Sequence, residues 1–295
     1  MARAMQTIAM AALASIAIAL AVPVGAQTGK IDAAKVERAD ALWSARWFYT
    51  ENKKQTVLGQ PYQPKQSNFT LQRRLEDEVY AVAGHDYRVL DLPEVGGVTA
   101  DTNGHVHRLG VGWRRDTQEQ RYEVVAALAV SSNALKNLGD LGAEDLRFAG
   151  AIEQRLGESW KVALRADDRF GRFRLYPGFE LFLQPTPAHE VRVGFPESSW
   201  RWQWVPRLQS EVAVAPDGSR WRVRDPTLER HSIVRQSVWR ATWSLRWQLF
   251  DAFAVEARVG WCFDSTLRYQ LRDGTQAQVE PPDTSFFGIG VGARF

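Results

Sequence analysis

Five histidines, one cysteine and an abundance of arginine are the residues of this 295-residue chain whose types suit chemistry. His189-Glu190 and His231-Ser232 set a base beside a carboxylate or a hydroxyl. A nucleophile and its base must meet in space, and neighbours along an extended strand point to opposite faces, so both pairs read as polar loop or rim residues. The chain is therefore not expected to be an enzyme. His105 and His107 share one face of an alternating segment, with His85 and Asp86 on the segment before it. The residue types suit a metal near a rim, but interfacial polar side chains are the plainer reading, and neither a metal nor a cofactor is expected. Cys262 is the only cysteine, which excludes an internal disulfide, a zinc knuckle and a thiol redox pair. No phosphate loop or nucleotide fingerprint occurs. Asn68-Phe69-Thr70 fits a glycosylation sequon and carries no further weight.

A formal net charge of +3 and a mean hydropathy of −0.33 would suit a soluble basic protein or a nucleic-acid binder. The placement of the charges argues otherwise. In residues 238–250, Trp239, Ala241, Trp243, Leu245, Trp247 and Leu249 alternate with Arg240, Thr242, Ser244, Arg246 and Gln248. Only a period of two separates these sets. Phe253, Val255, Ala257, Val259, Trp261 and Phe263 alternate in the same way with Glu256, Arg258, Gly260, Cys262 and Asp264. Earlier runs set Trp160, Val162 and Leu164 against Lys161 and Arg165, and Phe173, Leu175, Phe179, Leu181 and Leu183 against Arg172, Arg174 and Glu180. A strand with one apolar and one charged face suits a wall between lipid and a polar interior, and half-polar strands average to a soluble-looking composition. No nucleic-acid partner is expected.

Strands are expected near 42–51, 66–73, 77–91, 105–115, 120–131, 144–156, 158–167, 172–184, 188–195, 200–215, 219–225, 234–248, 251–271 and 284–295. The segments 66–73 and 219–225 are the weakest of them, and without them the count is twelve. Short connections at Leu156-Gly157-Glu158, Pro185-Thr186-Pro187, Pro216-Asp217-Gly218 and Phe250-Asp251 alternate with longer ones at 52–65, 92–104, 132–143, 226–233 and 272–283. Tight periplasmic turns, long outer loops and an even strand count describe a transmembrane antiparallel up-and-down β-barrel of about fourteen strands. Of the twelve tryptophans, Trp113, Trp160, Trp221 and Trp247 are expected near periplasmic strand ends and Trp200, Trp202 and Trp261 near outer ones, in keeping with the interfacial preference of indole.

The chain opens with Arg3, an uncharged apolar run from Ile8 to Val22 and a small-residue Val24-Gly25-Ala26 site, the pattern of a secretory signal peptide over 1–26. Residues 27–41 are expected to form a short periplasmic segment and 42–295 the barrel. The final strand sets Phe287, Ile289, Val291, Ala293 and Phe295 on one face. It resembles the C-terminal assembly signal of Gram-negative outer-membrane barrels, and the resemblance assigns recognition by the barrel assembly machinery to Phe287, Ile289, Val291 and Phe295. The stretch from Leu175 to Val223, with Tyr176-Pro177-Gly178, Val193-Gly194-Phe195-Pro196 and Ala215-Pro216-Asp217-Gly218, resembles an uncharacterised outer-membrane β-barrel family known only as a domain of unknown function, and Val259 to Asp264 and the last strand fit it too. That resemblance implies a barrel in the outer membrane and no site residues.

Function is then sought on the inner face. Arg165, Arg172, Arg174, Arg207, Arg222, Arg240, Arg246 and Arg258, with Glu180, Glu211 and Glu256, are the candidate lumen-lining residues, and cations outnumber carboxylates about two to one on the face that the alternation assigns inward. If the charges pair, the barrel is a closed scaffold; if surplus arginines line water, their field favours small anions in a passive pore. A lipid-processing enzyme is the third reading. The expected partners are outer-membrane lipid and, during assembly, the insertion machinery; the sequence leaves the oligomeric state open.

Overall fold

A strand of alternating lipid-facing and polar residues leaves two edges of backbone N–H and C=O groups that lipid cannot satisfy, so such strands are stable only when the sheet closes on itself. The structure of the protein, a computed structural model, describes residues 43–89, 103–117, 120–131, 146–225, 230–270 and 276–294. The expected signal peptide and periplasmic segment, and Phe295, lie outside these residues.

β1 (Trp43–Asn52) and β4 (Lys65–Arg74) flank a small hairpin of β2 (Gln55–Val57) and β3 (Gln60–Tyr62). β4 is followed by β5 (Val79–Val89), β6 (Asn103–Asp116), β7 (Gln120–Ser131), β8 (Leu146–Leu156), β9 (Trp160–Asp167), β10 (Arg174–Thr186), β11 (His189–Phe195), β12 (Ser198–Val205) and β13 (Leu208–Pro216), each antiparallel to the last. β13 and β14 (Ser219–Asp225) pair in one continuous register with β15 (Arg230–Phe250), from Leu208 opposite Trp247 to Asp225 opposite Arg230. β15 pairs with β16 (Phe253–Gln270), and on the far side of β16 lie β17 (Gln276–Val279) and β18 (Thr284–Arg294). β18 returns to β1, with Val291 opposite Trp47, and the sheet is closed. Counting each collinear pair once, the barrel has fourteen strands and is all-β, antiparallel and up-and-down.

The total matches the sequence expectation, but two segments differ. Residues 200–215 are a hairpin, β12 and β13, rather than one strand, and 219–225 extends β13 rather than reversing it. Trp221, expected near the periplasm, therefore pairs with Val234 in the outer extension of β15. Tight connections at 75–78, 157–159, 187–188, 206–207 and 251–252 gather at one end, the periplasmic end by the usual sidedness of such barrels.

The outer face is apolar along most strands. Leu109, Val124, Phe148, Ile152, Leu164, Phe179, Trp243, Val259 and Ile289 are all exposed there. Inward glycines at the closing seam serve packing. A Cβ on Gly290 would overlap the Phe48 ring, which lies against that glycine and carries the Arg258 guanidinium 3.8 Å above its centroid. The wall is uneven in height. β11 and β12 have seven and eight residues, fewer than the roughly 9–11 that usually span a bilayer, whereas β15 and β16 have 21 and 18 and rise well beyond it. β16 carries a bulge where Ser237 and Trp239 of β15 face Thr266 and Phe263, and Asp264 there has a left-handed φ of 52°.

Candidate pore lining

The interior of the barrel divides into two parts, one filled and one open. In the filled part, the β2–β3 hairpin folds inward at the outer end. Its two-residue turn places Leu58 and Gly59 at φ of 50° and 79°, the left-handed pair that a tight hairpin requires, with a branched residue at a position that usually favours Gly or Asn. Val57 and Tyr62 from this hairpin pack with Val106 of β6, Val234 of β15, Leu267 and Tyr269 of β16 and Val279 of β17 in one buried cluster. This apolar plug joins walls that are not neighbours in the sheet. Burial in it pushes the Tyr62 phenol pKa up. β14 leans toward β6 and β7 across the same end.

Polar contacts reinforce the plug from below. Arg88 Nη1 donates to Gln236 Oε1 at 3.1 Å, and Arg240 Nη2 donates to Gln66 Oε1 at 3.4 Å, so β5 and β4 both reach β15 through the interior. Arg240 also pairs with Asp217 at 2.8 Å, and Asn52 Nδ2 donates to the buried Cys262 Sγ at 3.7 Å. A cavity of about 20 Å³ remains between these groups.

The open part lies along β7 to β13. A cavity of about 330 Å³ is lined by inward residues of those strands and reaches from Arg121, beside the periplasmic end of β7, to Arg169, Pro196 and Glu197 at the outer rim. Small residues, Ala149, Gly150, Ala151, Ala163, Gly178 and Ser199, supply its width. Its charges balance: Arg121, Lys161, Arg165, Arg169, Arg192 and Arg201 face Glu123, Glu153, Asp167, Glu180, Glu197 and Glu211. They form a ladder across neighbouring strands. Glu153 takes Arg165 at 2.5 Å and Lys161 at 3.5 Å; Lys161 continues to Glu180 at 3.2 Å. Further round, Arg192 and Arg201 approach Glu190 at 2.6 and 3.6 Å, and Arg201 reaches Glu211 at 3.0 Å. Arg114 and Arg121 approach Glu123 at 2.5 and 3.5 Å.

The residues expected in the lumen are thus distributed unequally. Arg165, Glu180 and Glu211 line the open cavity, and Arg240 braces the plugged part. Arg258 and Glu256 pair at 2.5 Å on the inward side of β16, and Arg246 sits in register between Gln209 and Glu256. Four of the expected residues lie away from these two parts. Arg207 belongs to the β12–β13 turn, exposed and 3.6 Å from Asp251 of the next periplasmic turn, because the chain reverses there. Arg172 precedes β10, and Arg174, its first residue, is exposed at the outer rim with its guanidinium 5.8 Å from the Phe170 ring centroid. Arg222 pairs with Ile233, in step with the outward Arg235 and out of step with the inward Val234, because β14 continues β13 without a change of face. Arg121, Glu123, Glu153, Lys161 and Arg201 belong to the charge ladder as well, and their alternation on β7 to β12 is the sequence signal that marks them.

His85, His105, His107 and His189 lie on the outer face. His189 faces out and accepts a hydrogen bond from Trp200 Nε1 at 3.2 Å, while the adjacent Glu190 faces in toward Arg192 and Arg201. On the outer face of β5 and β6, His85 Nε2 and His105 Nδ1 are 3.2 Å apart and His107 stacks on His85 at 4.8 Å. Among the described residues no group has the arrangement of a metal site. For the expected assembly residues, Phe287, Ile289 and Val291 are exposed on the outer face of β18.

A closed antiparallel barrel with an apolar outer belt, a charged interior and all but one of its tight turns at one end defines the protein as a transmembrane β-barrel of the outer-membrane class. No family model matches the chain, and no curated protein matches it. Solved structures similar to it include a KdgM porin, at 8% identity and a TM-score of 0.36, covering 85% of this chain and 99% of that one. An outer-membrane channel from Pseudomonas putida F1 aligns at 7% identity and a TM-score of 0.42, covering 91% and 100%, and a bacterial polysaccharide outer membrane secretin at 11% and 0.43, covering 87% and 99%. At these identities and TM-scores the likenesses transfer no function, and the barrel rests on its own strand pairing.

Proposed function

We propose that the protein is a passive outer-membrane pore for small polar solutes, with its path along the β7–β13 wall. The observation that supports this is the 330 Å³ cavity, whose lining extends from the periplasmic end of β7 to the outer rim and stays charged throughout. Lumen-facing charges in contact with water set what a pore passes. Six cations balanced by six carboxylates make a weak net field, so the pore selects by size and polarity more than by sign. Counting arginines along all the strands favours small anions, and the balanced lining of this one cavity supports a weaker preference of that kind.

A closed structural barrel is the second reading, favoured by the apolar plug between β6, β15 and the β2–β3 hairpin. Planar-bilayer recording under a salt gradient separates the two. The pore gives discrete steps with a cation-to-anion permeability ratio within about twofold of one, because paired charges largely cancel. Replacing residues 54–63 by two glycines is expected to enlarge the steps by removing the plug. Silence from both proteins refutes the pore and supports the closed barrel, and strong anion selectivity refutes the balanced lining.

A further inference from the structure

The outer extension of β14, β15 and β16 carries a second charge cluster, on the face away from the lumen. Arg220 pairs with Arg235, and Arg235 with Arg268, so three guanidinium groups lie side by side across three strands. Val234 and Gln236, which flank Arg235, point inward into the plug, and this fixes the arginine row on the outside. The loop between β9 and β10 brings two more. Its Arg169 carbonyl accepts a hydrogen bond from Gly218 N at the β13–β14 junction, and this docking puts Arg172 close enough to repel Arg235, while Arg174 feels both Arg172 and Arg268.

Like charges at this separation cost free energy unless an anion sits among them. The protein supplies little. Arg172, Arg174, Arg235 and Arg268 make no ion pair with any described carboxylate; Arg268 Nε donates to the neutral Gln278 Oε1 at 2.9 Å, and only beyond it does Gln278 donate to Glu280 at 2.9 Å. The Nε of Arg235 is buried and has no hydrogen-bond partner among the described residues.

Height identifies the missing anion. Going up the outer face, the last apolar row is Trp239 and Phe263, a neutral row of Ser237 and Thr266 follows, and Arg235 and Arg268 come next. From Trp239 to Arg235 is about 10 Å along the barrel axis, at about 3.3 Å per residue with the usual strand tilt. With the same tilt the apolar run from Phe253 to Phe263 rises about 25 Å, the height of the lipid-facing band of such barrels, so the arginines stand at the level of the outer headgroups. Arginine forks match phosphate oxygens in a bidentate way.

We propose that Arg220, Arg235 and Arg268, with Arg172 and Arg174, bind the phosphate groups of a phosphorylated glycolipid in the outer leaflet and anchor this tall side of the barrel to it. The proposal rests on the orientation given above, loops outward, and is independent of whether the lumen conducts.

The test uses the full mature protein refolded in a non-ionic detergent, with folding checked by heat-modifiable electrophoretic migration. Wild type and the Arg235→Gln/Arg268→Gln double variant are titrated with a bis-phosphorylated acylated glucosamine disaccharide, with its dephosphorylated counterpart and with inorganic phosphate, and binding is read by native mass spectrometry. Wild type is expected to hold the phosphorylated lipid at least about tenfold more tightly than the dephosphorylated one, the scale of one lost charge-assisted contact. The double variant is expected to lose that preference. Equal affinity of wild type for the two lipids overturns the proposal, and so does an undiminished preference in the folded variant. Displacement of the lipid by an equal concentration of inorganic phosphate shows a site for free anions and overturns the lipid assignment. The comparison of lipids uses the unaltered protein, so it decides the matter even if the variant does not fold.

Discussion

Arginine at Ile152 should destabilise the inserted barrel, whereas arginine at Ala151, one residue earlier, should be tolerated. Ile152 is 53% exposed on the outer face of β8, in register between Tyr122 and Leu164. Ala151 faces the 330 Å³ cavity, in register between Glu123 and Arg165. Ile152 lies well inside β8, which runs from Leu146 to Leu156, so its side chain is in the apolar belt rather than at either interface. Arginine on the lipid face costs about 2–4 kcal/mol near the midplane and about 0–1 kcal/mol near the interfaces. The value expected at Ile152 is therefore about 3 kcal/mol, or a loss of about 100-fold in the folding equilibrium. At Ala151 the guanidinium enters a water-accessible space where attraction to the Glu123 carboxylate offsets repulsion by the like-charged Arg165, and the change should stay within about 1 kcal/mol. Urea unfolding of both variants in vesicles of one lipid composition, followed by tryptophan fluorescence and scored independently by heat-modifiable migration, measures the difference. Equal losses at the two positions, or a larger one at Ala151, would show that the faces of β8 are reversed or that the outer face does not meet lipid.

Two further expectations concern the seam where the barrel closes. Gly290→Leu should drive a side chain into the Phe48 ring beneath Arg258 and weaken β18–β1 pairing by about 1–3 kcal/mol, the usual cost of overpacking, seen as a lower midpoint in the same urea assay, whereas Gly292→Ala, which meets only the Ala45 carbonyl at 3.8 Å, should change it little. Deleting Phe295 should sharply reduce insertion in cells while leaving refolding into detergent nearly unchanged, and Arg294→Ala should be mild; equal effects of the two on the amount of barrel recovered from membranes would show that Phe295 is an ordinary strand end.

Alternation made the strands legible because a wall between lipid and a polar interior fixes the face of every residue. The same regularity concealed one turn. β12 and β13 join through two residues, Pro206 and Arg207, and in their register even-numbered residues face even-numbered ones, Trp200 opposite Val212 and Trp202 opposite Ser210. The apolar positions therefore keep their parity through the reversal, and a hairpin of two short strands reads as one long strand. Asp217-Gly218 misleads in the opposite sense. Its composition is that of a tight turn, yet Gly218 N is held by the Arg169 carbonyl from another loop, and the strand continues past it in register. The two departures cancel in the count and not in the site: they put Arg207 in a turn and set Arg222 in register with Ile233, in step with the outward Arg235. The plug is a different case. Val57 and Tyr62 on the β2–β3 hairpin, Val106 on β6, and Val234 and Leu267 on the β15–β16 pair come from three places that pairing does not bring together, so no period in the sequence could announce the cluster. Periodicity reports which face a residue occupies. What crosses the interior is set by which walls stand opposite, and that follows only from the closed circuit. The uneven heights of β11–β12 and β15–β16 then connect the two parts of the molecule: the low wall flanks the open, charged cavity, and the tall wall supports the plug within and the arginine cluster without.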